Sequence, residues 1–410
     1  MRKILVSASL LALCVTGNIA AAQQSSVKTR LPIAVPSDYF ASLSSAPKHT
    51  FSSKLSAATS SAAKSQDPRI VSVPNFTRSF TFAGQTFPYT MVGQQPAEKR
   101  TTVVPTHYVP ISFFFDEFVD QNGNNIVIDT TTITDEIKNS PLFENATYAT
   151  GFTQFEDAVM RAEFFPLFNK DGDNDRNDGF HVLLGHPQTL IPVTVEVPVG
   201  SSVLFQAPDG ALVALIDINF INSQLNTLSQ TEPITVNAIP IFLTRNAVYG
   251  DFSKGQPVDC CIGGFHTAFE TQQVKNKIFV QTFAFSTSLD SDVAAFVFRD
   301  PGIFADVNAL SHELGETLND PFINNVTPNY QLPGAPAGFC QNILEDGDVI
   351  ENLNPEYTEV TLHGFTYHPQ TLGLLQWFEG ITPSDAVNGD YSFPDPTRLT
   401  APFTPCPTKP

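Results

Sequence analysis

Residues 310–322 read LSHELGETLNDPF, and the spacing within that stretch decides how the rest of the chain is read. His312, Glu313 and Glu316 spell H-E-x-x-E, one position away from the zinc-binding helix signature H-E-x-x-H. Val307, Leu310, Leu314 and Leu318 recur at helical spacing, which predicts a helix over about 307–319 with one apolar stripe. Asp306 is the expected N-cap, and Pro321 disfavours helical geometry at Asp320 and so ends the helix. His312 and Glu316 stand one turn apart on the same side, away from the stripe. Zinc accepts carboxylate oxygen as well as imidazole nitrogen, so His312 and Glu316 are predicted metal ligands. Glu313 is then the predicted general base for a bound water. The plain alternative is a solvated helix face.

A zinc site needs at least one more ligand. CQNILEDGDV (340–349) offers Glu345, the preferred third ligand, and Asp348 in a Gly-containing turn. Asp320, at the helix end, reaches the ion only if the chain folds back. HGFTYHPQ (363–370) offers Tyr367 and His368 as catalytic candidates that could ligate the ion or steady an oxyanion. Each could equally be a hydrogen-bonded loop residue. His266, beside the cysteine pair in CCIGGFH, reads as structural.

A second acidic cluster lies in NKDGDNDRNDGFH (169–181). Asp171, Asp173, Asp175 and Asp178 alternate with Asn and Gly as in a calcium loop, with Asn169 as a further oxygen donor. Arg176 at the sixth place and the lack of Glu at the twelfth break the EF-hand pattern, so the expectation is a looser Ca2+ site or a solvated acidic loop. The chain contains no G-x-S-x-G elbow, Walker loop or dinucleotide fingerprint.

The 410 residues carry a net charge of −19, which argues against nucleic acid or an anionic membrane as partner and suits cation binding. Residues 1–22 have the pattern of a signal peptide: Arg2 and Lys3, an apolar run, then Ala20-Ala21-Ala22. No later stretch is apolar for long enough to span a membrane, so the expected location is secreted or periplasmic. Cys260, Cys261, Cys340 and Cys406 follow that segment and suggest two disulfides. Adjacent cysteines rarely pair, so the expected bridges run from Cys260 and Cys261 to Cys340 and Cys406, in either order.

Residues 23–66, rich in Ser, Ala, Lys and Thr, read as a flexible arm or linker, with a propeptide as the functional alternative. Residues 67–405 read as one domain, with an N-terminal β subdomain over 67–130 as an option. RSFTFAGQTFPYTMVG predicts a hairpin, and GFTQFEDAVMRAEFF (151–165) a helix with Phe152, Phe155, Val159 and Ala162 inward. TVEVPV (194–199) predicts an edge strand between prolines, and DINFINSQLNTL (217–228) a helix. ITVNAIPIFLT (234–244) and KIFVQTFAFS (277–286) are strand candidates, the second beside the motif helix as an edge that could hold an extended peptide. A short helix is expected near 370–380. Strands and helices mix without regular alternation, which predicts α+β: a mixed sheet, an active-site helix and a loop-rich C-terminal part.

The combination TMVGQQP, DCCIGGFH, PGIF, LSHELGETLNDPF, CQNILEDGD and GFTYHPQ resembles a family of exported bacterial proteins with a zincin-like H-E-x-x-E helix followed by Asp-Pro. The likeness spans roughly residues 80–395. More distantly the chain is similar to the plant phosphate-induced, EXORDIUM-like secreted proteins. Related exported proteins carry an E-x-x-D pair soon after the Asp-Pro, which Glu345 and Asp348 match. The resemblance implies a zincin-like, metal-dependent hydrolase fold; the same-face His312 and Glu316 with the later acidic turn lead to the expectation of a zinc peptidase acting on a peptide or protein. The rival expectation is a non-catalytic, calcium-binding extracellular module for adhesion or signalling.

Overall fold

The alternation in RSFTFAGQTFPYTMVG becomes a hairpin in the computed structural model, which describes residues 28–30, 39–43, 69–169, 179–231 and 234–407. Strands β1 (Asn75–Phe82) and β2 (Gln85–Val92) pair antiparallel with Phe82 opposite Gln85. The two-residue turn between them, Ala83-Gly84, has φ of 49° and 83°, the left-handed geometry that matches strand twist in a tight hairpin. Phe76, Phe80, Phe87, Tyr89 and Met91 from this hairpin enter the main hydrophobic core.

Strand β3 (Thr106–Val119) runs through a nine-stranded mixed sheet. Helix α1 (Phe155–Glu163) packs its apolar residues into the main core. It starts later than the periodicity suggested: Gly151–Thr153 pair with Ala146–Tyr148, and Phe152 is 58% exposed. The Phe155 N–H donates to the Pro141 carbonyl and fixes that start. Among the described residues, strand β4 (Val193–Val197) pairs only with β3, in parallel, the marginal place its flanking prolines favour. Helix α2 (Ile218–Thr231) buries Ile218, Ile221 and Leu225.

Strand β5 (Ile239–Arg245) lies parallel to β3; the residues before it are held in a turn by Ala238 N–H on the Thr235 carbonyl. Strands β6 (Gly264–Val274) and β7 (Lys277–Ser288) form an antiparallel hairpin that ends the sheet. Since β7 pairs with β5 on one side and β6 on the other, KIFVQTFAFS is internal, and the edge beside the motif helix is β6. The fold is therefore a mixture of helices around a central mixed sheet, as the irregular element order suggested.

The motif stretch forms helix α3 (Asn308–Asn319), packed against β6 and β7. Leu310, Leu314 and Leu318 are fully buried in the main core, each such side chain contributing about 1.5–3 kcal/mol. The opposite face is also buried: His312, Glu313 and Glu316 are 7%, 5% and 3% exposed, which removes the solvated-face alternative. The N-cap is Val307, without a side-chain cap bond, rather than Asp306. Asp306 instead accepts from the Val307 and His368 backbone N–H groups and from His368 Nδ1. At the other end Pro321 stops the helix, and the Asp320 carboxylate accepts from the N–H groups of Asn324 and Asn325. Downstream, the expected helix near 370–380 shrinks to α4 (Leu375–Glu379), because Thr371 and Gly373 N–H groups are bound by the Glu356 and Asp346 carbonyls.

The disulfides correct the expected pairing. Cys260 bonds to its neighbour Cys261, across a cis peptide that brings their Cα atoms to 3.0 Å, and Cys340 bonds to Cys406. Two disulfides are consistent with an extracellular or periplasmic site. Among the described residues no helix is long and apolar enough to cross a membrane. The proposed signal peptide lies outside the described residues, as does most of the arm. Two arm segments are docked rather than free: Thr29–Arg30 pair with Phe118–Val119, and Phe40, 4% exposed, packs on Phe205.

Candidate metal centre

The apolar stripe of α3 fixes the rotation of the helix, and that rotation turns His312, Glu313 and Glu316 toward the inner side of β6. His312 Nε2 lies 3.1 Å from Glu316 Oε1, as the one-turn spacing requires. The chain returns after the Asp-Pro, and the Glu345–Asp348 turn closes over the pair. Asp348 Oδ1 lies 3.7 Å from His312 Nε2, and Glu316 Oε1 accepts from the Asp348 N–H at 3.3 Å. His312, Glu316 and Asp348 each offer one donor atom within 4.8 Å of the others.

His266, read from the sequence as structural, belongs to this centre. Its Nδ1 lies 3.2 Å from Glu316 Oε2, 3.7 Å from Glu313 Oε2 and 3.9 Å from Glu345 Oε2. His266, Glu313 and Glu316 form a second group of donors within 4.8 Å. The signal that could have found it is the Gly-Gly before Phe265. A Cβ on Gly264 would lie 2.8 Å from Glu313 Oε1, so only glycine lets the edge strand come this close to the helix. Gly347 does the same on the other side, where a Cβ would lie 2.6 Å from the His312 ring.

Gln370 is the other residue that sequence reading passed over. Its Nε2 donates to the Gly347 carbonyl at 2.8 Å, so its Oε1 faces His312 Nδ1, also at 2.8 Å. Nδ1 therefore carries the proton in the neutral ring, and the Nε2 lone pair points at Glu316 and Asp348, ready for a cation. Glu351 stands 3.9 Å from His312 Nδ1.

His266, His312, Glu313, Glu316, Glu345, Asp348 and Glu351 line a cavity of about 50 Å³ together with Cys261, Phe304 and Ala309. No Lys or Arg lines it among the described residues. Burial alone would lower the basicity of both imidazoles, but Glu345, Glu313 and Glu316 outweigh it at His266, and Glu316 and Glu313 outweigh it at His312, so both pKa values sit well above the ordinary one. Burial would raise the Glu316 carboxyl, yet the His312 and His266 charges hold it far below its usual range. Burial pushes Glu313 up to about 7, against the pull of His266 and His312. Burial and the Glu316 charge raise Glu345 further. A negative wall that draws protons onto imidazoles is one where a divalent cation can displace those protons.

The remaining site candidates are placed elsewhere. The Asp320 carboxylate is engaged by the backbone beyond the helix end. Tyr367 donates its hydroxyl to the Glu136 carbonyl, and His368 pairs with Asp306 at 2.7 Å. Neither lines the cavity. Asp171, Asp173, Asp175 and Asp178 lie outside the described residues. Compared with protein-family models, curated proteins and solved structures, the chain finds no match.

Proposed function

We propose that the protein is an exported, zincin-like metal-dependent hydrolase that takes zinc and acts on a peptide or protein. One observation carries this reading: His312 Nε2, Glu316 Oε1 and Asp348 Oδ1 converge from a helix and a loop beside a cavity that Glu313 also lines. A histidine and two carboxylates suit zinc, and three protein ligands leave a fourth position for water or substrate. A cation held there would make a coordinated water acidic near neutral pH and polarise a carbonyl oxygen. Glu313 Oε2, buried and without a hydrogen-bond partner, would be the group to take the proton of such a water as the water oxygen bonded to a peptide carbon. The same carboxyl would then pass the proton to the leaving amine as the C–N bond broke. Support for the zincin reading comes from the H-E-x-x-E helix lying against the edge strand β6, whose outer side is where an extended substrate could pair.

The test is metal content together with hydrolysis of a broad peptide library by wild type and Glu313→Gln. Wild type should cleave; the variant should keep the ion at His312 and lose on the order of 10²–10⁴ in rate. Metal-replete wild type that cleaves nothing overturns the reading.

The small cavity favours a second reading. About 50 Å³ suits ions and waters better than a bulky side chain. In that case the same donors hold a structural ion in a non-catalytic extracellular module. Chelation would then lower the melting temperature while no peptide is cleaved.

A further inference from the structure

We propose that this centre holds two divalent cations, bridged by the carboxylate of Glu316. The inference rests on the metal-centre reading above and concerns how many ions that centre takes.

Metal–donor bonds of about 2.0–2.2 Å require the ligands of one ion to cluster closely. The donors here fall into two groups, His312–Glu316–Asp348 and His266–Glu313–Glu316, each closing within 4.8 Å and sharing only Glu316. The two imidazoles do not fall in one group. Glu316 divides its oxygens between them: Oε1 faces His312 Nε2 at 3.1 Å, and Oε2 faces His266 Nδ1 at 3.2 Å. A carboxylate that offers one oxygen to each of two imidazoles has the geometry of a bridge between ions about 3.5–4 Å apart.

A second, independent observation points the same way. Glu345 Oε1 is buried without a hydrogen-bond partner, and Glu313 Oε2 meets only His266 Nδ1, at 3.7 Å, beyond hydrogen-bond reach; the two residues are 1% and 5% exposed. Buried carboxyl oxygens left without a partner are costly, and a cation beside them would offset that cost. One divalent ion would leave the wall of Glu313, Glu316, Glu345, Asp348 and Glu351 strongly negative; two bring it close to balance. The space suffices, because a water-sized occupant needs about 10–15 Å³ and the cavity holds about 50 Å³. With the second position filled, Glu313 would serve as a ligand, and a water made acidic by both cations would lose its proton to solvent.

The full chain, stripped with chelator and desalted, is loaded with zinc alone, and bound metal is counted after gel filtration. Two equivalents are expected in wild type and one in Glu313→Gln, which keeps the His312 position. One equivalent in both proteins overturns the second ion and leaves the metal-centre reading standing; none in wild type overturns both. A measurement without variants uses Mn2+ as the probe. A spin-coupled pair in the paramagnetic resonance spectrum supports the bridge, and an isolated-ion spectrum at saturation overturns it.

Discussion

Glu316 Oε2 lies 3.2 Å from His266 Nδ1, and through this contact the motif helix is joined to the edge of the sheet. The same side chain faces His312 with its other oxygen, so one carboxylate is the nearest anion to two buried imidazoles. Glu316→Ala should leave both rings without their nearest anion. Breaking a buried pair from one side costs about 3–5 kcal/mol, and metal retention should vanish with it. Urea unfolding and metal content after gel filtration check this; retention at the wild-type level would refute the assignment.

Gln370 orients His312 without touching the cavity. Gln370→Leu removes the acceptor at Nδ1 and frees the ring to rotate or change tautomer. Loss of such a supporting hydrogen bond typically weakens metal affinity about 10–100-fold. Competition with a chromophoric chelator measures it, and an unchanged affinity would show that packing alone holds the ring.

Gly347 tests the close approach of the loop to the helix. Its Cβ in Gly347→Ala would sit 2.6 Å from the His312 ring, which must swing away. Nothing else at the centre is changed chemically, so metal affinity should fall while the secondary structure stays intact. Calorimetric zinc titration and circular dichroism on the same sample separate the two.

Much of this architecture was legible in the chain because local rules governed it. The leucine stripe fixed the face of α3 and therefore the direction of His312 and Glu316, and Ala83-Gly84 could only be a tight turn. What escaped depended on contacts between distant segments. His266 looked structural because its partners, Glu313, Glu316 and Glu345, come from a helix and a loop that only the tertiary fold brings to β6. KIFVQTFAFS looked like an edge because its sequence does not reveal that Gly264–Val274 folds back to cover it. The cysteine pairing failed for a local reason instead: the peptide between Cys260 and Cys261 is cis, a geometry that sequence gives little cause to expect.

Cys340–Cys406 closes a loop of 66 positions and ties the strand Cys340–Ile343 to the C-terminal segment. A cross-link of that span restricts the unfolded chain by about 4 kcal/mol. The double variant Cys340→Ser, Cys406→Ser should unfold at correspondingly lower denaturant, yet keep its metal, since neither cysteine lines the cavity. Loss of metal in folded variant would place this bridge in the centre's support.

The buried carboxyls away from the donors set a pH dependence with a definite sign. Burial raises Glu156 and Glu163 well above the ordinary range, and pushes Asp320 and Glu379 up to about 7. In the folded chain these groups keep their protons where the unfolded chain, at ordinary values of 3.8 for Asp and 4.5 for Glu, has already released them. The folded state binds more protons, so stability falls as pH rises. The contribution is fully present below about pH 4 and is lost as pH climbs through 7, and beyond it for Glu156 and Glu163. Thermal melts of the chelator-treated protein should therefore show a falling midpoint between pH 5 and pH 8, measured at constant ionic strength. Glu379→Gln, which cannot ionise, should flatten part of that fall; a midpoint that rises across the same interval would mean that these carboxyls are ionised and paired in the folded chain.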